Sequence, residues 1–105
     1  MEEIIMNILM HSGEARNYAI EAMSLAKSGN FEKAEKYICM ADEELGFAHN
    51  SQTSLIQGET TNNDVQFSLL LVHSQDHLMT TMTFKDLAVE IIQLHKKINL
   101  LEDKL

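Results

Sequence analysis

The chain has 105 residues and a formal net charge of −8, with 16 acidic and 8 basic side chains. This length fits one domain, residues 1–105, because natural domains run from about 50 to 250 residues. The acidic balance argues against nucleic-acid binding, since no stretch could neutralise a row of phosphates. Proline is absent and there are four glycines, so we expect long uninterrupted helices and an all-α fold.

The termini and the cysteine content indicate a soluble cytoplasmic protein. The single cysteine, Cys39, excludes an intramolecular disulfide and a cysteine-based zinc site, and we expect it to be a small core residue. Acidic Glu2 and Glu3 stand where a signal peptide is positive, and no apolar run approaches the roughly 20 residues of a membrane span. A domain this small often completes its core by associating with other copies.

Two helices are predicted in the first half of the chain. The first runs from about Glu2 to Ser28 and ends at Gly29, in the position of a helix C′ glycine. Asn30 then supplies an N-cap for a second helix, which fades at Gly58. Apolar residues recur at steps of three and four in both helices: Ile4, Ile5, Ile8, Ala15, Ala19, Ala22, Met23 and Ala26, then Phe31, Ala34, Ile38, Ala41, Leu45, Ala48 and Leu55.

A polar segment, Gly58–Asp64, is predicted to be a loop whose Asn or Asp caps a third helix from Val65 to Leu105. The run Leu69–Val72 is apolar on every side, which predicts burial all round. These elements predict an antiparallel three-helix bundle. Alternating steps of four and three resemble a coiled-coil seam, which predicts self-association: His73, His77, Thr80, Phe84, Leu87, Ile91, Leu94, Ile98, Leu101 and Leu105.

A cluster of polar residues interrupts the third helix. Helical geometry places His73, Asp76 and His77 on one face, with Gln75 beside them. Such groups facing a packed interior cost several kcal/mol unless they are paired. The cluster therefore needs a partner, a metal or a chemical role, although buried histidines that only hydrogen-bond to neighbours are common.

Two chemistries compete for this cluster. Histidines four residues apart on a helix can coordinate one metal ion, and Asp76 could add an oxygen ligand. The general-base glutamate of the zinc-binding H-E-x-x-H arrangement is missing, however. Alternatively, one neutral imidazole accepts a phosphoryl group while the second orients it. The chain has no glycine-rich phosphate loop, so that group would come from an already activated donor. Spacing does not choose between the two.

Non-catalytic alternatives are weaker. The segment SLAKSGNFEKAEKYICMADEEL has the turn seen in tetratricopeptide hairpins, which would suit a helical adaptor. A repeat protein would show a second copy about 34 residues later, and none is present. A carboxylate-bridged metal bundle would need Glu-x-x-His pairs on separate helices, which are also missing. His11, His49 and His95 are expected to be surface or packing residues.

The segment HSQDHLMTTMTFKDL resembles the signature of the lactose/cellobiose-type enzyme IIA proteins of the bacterial sugar phosphotransferase system. Upstream, GNFEKAEKYICMADEELGFAHNSQTSLI and GEARNYAIEAM are similar to that family's second and first helices. The resemblance covers essentially the whole chain in order.

The resemblance implies a homotrimer of three-helix subunits, a nine-helix bundle with the third helices near the threefold axis. It implies that His73 becomes a tele-phosphohistidine, taking phosphate from the histidine-containing phosphocarrier protein and passing it to the IIB component, which serves the IIC transporter of a β-disaccharide. Three copies of Asp76 would bind Mg²⁺ or another divalent cation at the axis. Gln75 and His77 would shape the phosphoryl site.

Overall fold

The protein is an antiparallel bundle of three α-helices, as expected. Its computed structural model describes the backbone of residues 1–61 and 67–105, and the side chains of 1–58 and 67–105. The helices are α1 (Glu2–Lys27), α2 (Phe31–Thr61) and α3 (Leu69–Asp103). All three pack against one another, in a molecule of 63 × 20 × 16 Å.

A tight turn joins α1 to α2 as the sequence predicts. Gly29 has a φ of +89°, a left-handed conformation that suits glycine. Its N–H donates to the carbonyl of Ala26 at 3.0 Å, and the N–H of Asn30 donates to the carbonyl of Leu25 at 2.9 Å. The side-chain oxygen of Asn30 accepts from the N–H of Lys33 at 3.3 Å, which caps α2.

Small side chains line the contact between α1 and α2, and they allow the two helices to approach closely. Most of the predicted apolar positions of both helices are confirmed as the core, whereas Ile4, Met23, Phe31 and Ile38 are half-buried. The buried residues are Ile5, Ile8, Ala15, Ala19, Ala22 and Ala26 on α1, and Ala34, Ala41, Leu45, Ala48 and Leu55 on α2. Cys39 lies off this stripe and is exposed, so its prediction as a core residue is wrong.

The connection between α2 and α3 differs from the prediction. Helix α2 continues through Gly58 to Thr61, because a glycine inside a helix costs only about 1 kcal/mol and does not by itself end it. Residues 62–66, which include the rest of the predicted loop and Val65, lie outside the described residues. The cap of α3 is Ser68 rather than an Asn or Asp, and its hydroxyl accepts from the N–H of Leu71 at 3.1 Å.

Helix α3 has two apolar faces, and the buried one is not the predicted seam. The inner face consists of Leu71, Ser74, Leu78, Thr81, Ala88 and Ile92. The apolar seam residues from Leu87 onward stay exposed, and we call them the α3 stripe: Leu87, Ile91, Leu94, Ile98 and Leu101, with 57%, 39%, 58%, 48% and 63% of their surface accessible.

One chain covers only part of the run Leu69–Val72, for which the sequence predicts burial against neighbours beyond the hairpin partner. Within one chain Leu71 is buried, whereas Leu69, Leu70 and Val72 are exposed. Leu69, Leu70 and Val72 keep 86%, 42% and 55% of their surface accessible. Among the described residues, no helix has the length and apolar content that crossing a membrane requires.

Candidate functional site

The site is built on the middle of α3, where His73 and His77 lie one helical turn apart. Their rings are stacked, with centroids 6.1 Å apart and an angle of 7° between the planes. His73 is exposed, whereas His77 is half-buried against α1. The helix therefore presents one open imidazole supported by a second, more enclosed one.

Helix α1 forms the wall behind His77. A Cβ built on Gly13 would lie 3.9 Å from Nε2 of His77, so α1 passes the imidazole closely at a point without a side chain. One turn further along, α1 and α3 enclose a cavity of about 270 Å³. The cavity is lined by Arg16, His77, Thr80, Thr81 and Phe84.

The surroundings of His77 lower its pKa below the usual 6.5. Partial burial is the main cause, because it disfavours the charged imidazolium. The nearby His73 and Arg16 lower the pKa further, while Asp76 opposes them. His77 is therefore neutral at neutral pH, with one ring nitrogen that can donate a hydrogen bond and one that can accept.

Arg16 is the one arginine of the sequence and the cationic residue of this cavity. Its guanidinium lies over the ring of Phe84, 5.7 Å from the centroid, which holds the side chain against α3. Within the described residues no carboxylate lies within ion-pair distance of Arg16, whereas Lys85 pairs with both Asp42 and Asp86. The guanidinium donors of Arg16 thus remain available to an anion.

Gln75 faces α2 instead of the histidine pair. Its side-chain oxygen accepts from Nε2 of Gln52 at 2.8 Å, and its amide nitrogen donates to the hydroxyl of Ser74 at 3.3 Å. Residues two apart on a helix point in different directions, which separates Gln75 from His73 within one chain. Its contacts therefore join α3 to α2.

Asp76 is exposed on the face of α3 that carries His73. Thr80 donates its hydroxyl to the backbone carbonyl of Asp76 at 2.9 Å, a bond that does not involve the Asp76 carboxylate. Within the part of one chain that the structure describes, no three potential metal ligands come together.

The remaining histidines lie outside the site. His11 pairs with Glu44 and packs on Phe47, with ring centroids 5.2 Å apart, so it joins α1 to α2. His49 is exposed on α2, and His95 lies near the end of the bundle beside the turn between α1 and α2.

Residues 3–96 match the family described as "PTS system, Lactose/Cellobiose specific IIA subunit". The chain belongs to this family. PTS IIA subunits are phosphotransferase components, and the match includes α1 from its second residue, all of α2 and the histidine pair of α3.

Individual IIA proteins agree with the family match. The lichenan-specific phosphotransferase enzyme IIA component of Bacillus subtilis (strain 168) is 51% identical over 98 residues, which cover 93% of this chain and 89% of that protein. The crystal structure of the cellobiose-specific enzyme IIA from Bacillus anthracis superposes with a TM-score of 0.91 at 41% identity, covering 94% of this chain and 91% of that one.

A second similar structure is a complex of two proteins. The IIA(chitobiose) of the Escherichia coli phosphotransferase system, solved in complex with HPr, has a TM-score of 0.82 at 40% identity. The likeness covers 93% of this chain and 95% of that chain.

Proposed function

We propose that this IIA subunit relays a phosphoryl group through His73 during the uptake of a β-disaccharide. The observation that carries the proposal is the exposed His73 ring stacked on a neutral His77 in a member of the IIA family. A lone pair on the tele nitrogen of His73 attacks the phosphorus held on the donor. A new P–N bond forms as the donor's bond to phosphorus breaks, and that electron pair stays with the donor.

The donor in this proposal is HPr, the histidine-containing phosphocarrier protein, as the complex of the E. coli relative suggests. The acceptor is a cysteine thiolate of the IIB component, which displaces His73 from phosphorus and leaves a neutral imidazole. The IIC transporter then receives the sugar that IIB phosphorylates. Exposure of His73 suits this role, since both partners must reach the same nitrogen. The donor and acceptor place the relay in the bacterial cytoplasm.

His77 supports the transfer as a neutral side chain. An imidazolium at His77 would lie beside the His73 ring, and its lowered pKa removes that charge at neutral pH. The neutral ring can donate one N–H to a phosphoryl oxygen on His73. Gln75 has a less direct role, because within one chain it holds α3 to α2 through Gln52.

We further propose that the subunit forms a homotrimer through the α3 stripe. Five large apolar side chains along one face of α3, Leu87 to Leu101, keep 39–63% of their surface accessible within one chain. A continuous strip of this kind suits helix-to-helix packing at a symmetry axis. The nine helices of three copies would also cover Leu69 and Val72, which one chain leaves exposed.

In such a trimer, three Asp76 carboxylates would hold a divalent cation such as Mg²⁺. The donor chemistry fits, because carboxylate oxygens are the ligands that Mg²⁺ prefers and Asp76 lies exposed on the outward part of α3. When bound, the ion neutralises carboxylates that would otherwise repel one another. Equilibrium dialysis with Mn²⁺ as the probe should show binding that Asp76→Asn abolishes and the exposed control Asp103→Asn retains.

The relay is tested by labelling with phosphoenolpyruvate, the general phosphotransferase enzyme and HPr. We expect an acid-labile, base-stable phosphoryl group on the wild-type protein, none on His73→Ala, and unchanged labelling of the control His49→Ala. His77→Ala should still be labelled, but more slowly. Labelling of His73→Ala together with loss of labelling in His77→Ala would show that His77, and not His73, carries the phosphoryl group.

A further inference from the structure

An acidic protein that carries a phosphoryl group needs a local source of positive charge. The formal net charge of −8 gives this chain no general attraction for an anion. A phosphoryl group on nitrogen adds further negative charge, shared among its terminal oxygens. Some cationic donor near His73 must therefore offset the charge.

Arg16 has three properties that suit it as this donor: its position, its lack of an acidic partner among the described residues and the shape of its charged group. Arg16 lines the same cavity as His77, and the ring of His77 stacks on that of His73. Within the described residues Arg16 has no carboxylate partner. A guanidinium presents five donors in a planar fork that matches two phosphoryl oxygens, and it is charged at every physiological pH.

The other basic residues of the described chain are poorly placed or already paired. Lys85 donates to Asp42 and Asp86 on the α2 side of α3, and Lys96 pairs with Glu35 near the far end of the bundle. The remaining lysines lie near the ends of helices: Lys27 in the last turn of α1, Lys33 and Lys36 in the first two turns of α2, and Lys97 and Lys104 near the end of α3. The charge of Arg16 also acts on His77, since it is one cause of the lowered pKa of that residue.

We propose that Arg16 is the anion-binding residue of the site, and that its guanidinium donates hydrogen bonds to the phosphoryl oxygens carried on His73. The inference rests on the proposed relay through His73. In the structure the Arg16 guanidinium lies over Phe84 and lines the same cavity as His77, so the proposed contact requires it to turn from Phe84 toward His73 when the phosphoryl group arrives. Thr80 is not a competing donor, because its hydroxyl is engaged by the carbonyls of Asp76 and His77.

Arg16 stabilises the transfer itself in this scheme. In phosphoryl transfer, negative charge spreads over the three equatorial oxygens while the attacking and leaving atoms lie roughly in line. A guanidinium at those oxygens holds the moving group in both directions, from HPr to His73 and from His73 to IIB. No proton is transferred to or from Arg16.

The test compares Arg16→Gln, Arg16→Lys and the control Lys33→Gln in single-turnover transfer from phosphorylated HPr. Lys33 is exposed at the start of α2, and its substitution removes the same charge away from the site. At saturating HPr we expect Arg16→Gln to slow transfer about 10- to 100-fold, the range of a lost charge-assisted hydrogen bond. Arg16→Lys should recover part of the rate, and Lys33→Gln should match the wild type.

Three results would overturn the inference. Arg16→Gln could keep the wild-type rate at saturating HPr and need only more HPr, which would make Arg16 a docking residue. Arg16→Gln and Lys33→Gln could lose the same rate, which would show a general charge effect. In the wild-type protein, the Arg16 Nε–H signal in a ¹H–¹⁵N spectrum should move when His73 is phosphorylated, and an unmoved signal would exclude the contact without any variant.

Failure of the underlying relay gives a different result. If the wild-type protein takes no label, or if His73→Ala is labelled like the wild type, the proposed function itself is wrong. If His73 is labelled normally and only the Arg16 expectations fail, the relay stands without this residue.

Discussion

Replacing Leu94 with glutamine should dissociate the trimer that the α3 stripe predicts. Leu94 lies in the middle of the stripe with 58% of its surface accessible in one chain. Full burial of a leucine side chain is worth about 1.5–3 kcal/mol, so covering the accessible part contributes roughly 1–1.7 kcal/mol in each copy. Three copies together contribute roughly 3–5 kcal/mol to assembly, apart from the cost of burying the amide.

That magnitude corresponds to a large change in association. Since about 1.4 kcal/mol is a factor of ten, the trimer association constant should fall roughly 10²- to 10⁴-fold in Leu94→Gln. Sedimentation equilibrium over a range of protein concentrations measures this constant directly. Circular dichroism should show that each variant keeps its helical content.

Leu100→Gln is the matched control. Leu100 is equally accessible, at 61%, but six residues along a helix place it about 120° around α3 from Leu94, away from the stripe. The trimer association constant of Leu100→Gln should equal that of the wild type. A wild-type protein that sediments as a monomer, or equal weakening by both variants, would refute the assignment of the stripe as the subunit interface.

Three further predictions concern single residues. His77 should titrate with a midpoint below 6.5 when its ring signals are followed by NMR. A midpoint above 6.5 would contradict the burial argument. Because the folded state lowers this pKa, the contribution of His77 to the free energy of unfolding is complete above about pH 6.5 and declines as the pH falls below that value. Leu78→Ala should lower the free energy of unfolding by about 2–5 kcal/mol in urea titrations, since Leu78 is fully buried where the three helices meet; a loss below 1 kcal/mol would mean that the site relaxes around the cavity. Gly46→Ala should raise the free energy of unfolding by about 0.5–1 kcal/mol, because Gly46 lies inside α2 with no neighbouring atom within 4 Å of a new Cβ; destabilisation would show that this glycine is required for packing.

Local signals in the sequence were sufficient to predict the three helices. Gly29 ends α1 because its positive φ is inaccessible to most residues at low cost, and Asn30 caps α2 through its own side chain. Both effects act within a few residues, so they can be read from the chain. The end of α2 was predicted less well, because Gly58 carries only a small penalty that the surrounding helix outweighs.

The part of the candidate site that lies on α3 could also be predicted from local signals in the sequence. The spacing of His73 and His77 places their rings together through helix geometry alone, and the structure confirms the stacking. The contribution of α1 was missed. Arg16 and Gly13 lie some sixty residues before the histidines, and only the lateral packing of α1 against α3 brings them to His77. A single arginine in an acidic chain was the one signal that could have drawn attention to Arg16.

By itself the sequence determined the fold class, the helix periodicity and the histidine pair, because each depends on neighbours within one or two helical turns. The tertiary structure decided which face each helix buries. A regular apolar seam predicts that a helix face will pack, but it does not say against which surface. In α3, contacts with α1 and α2 use Leu71, Leu78 and Ile92, and the more regular stripe from Leu87 to Leu101 remains accessible. The same packing places Arg16 beside His77 and Gln75 beside Gln52, distinctions that depend on how the helices are rotated about their axes.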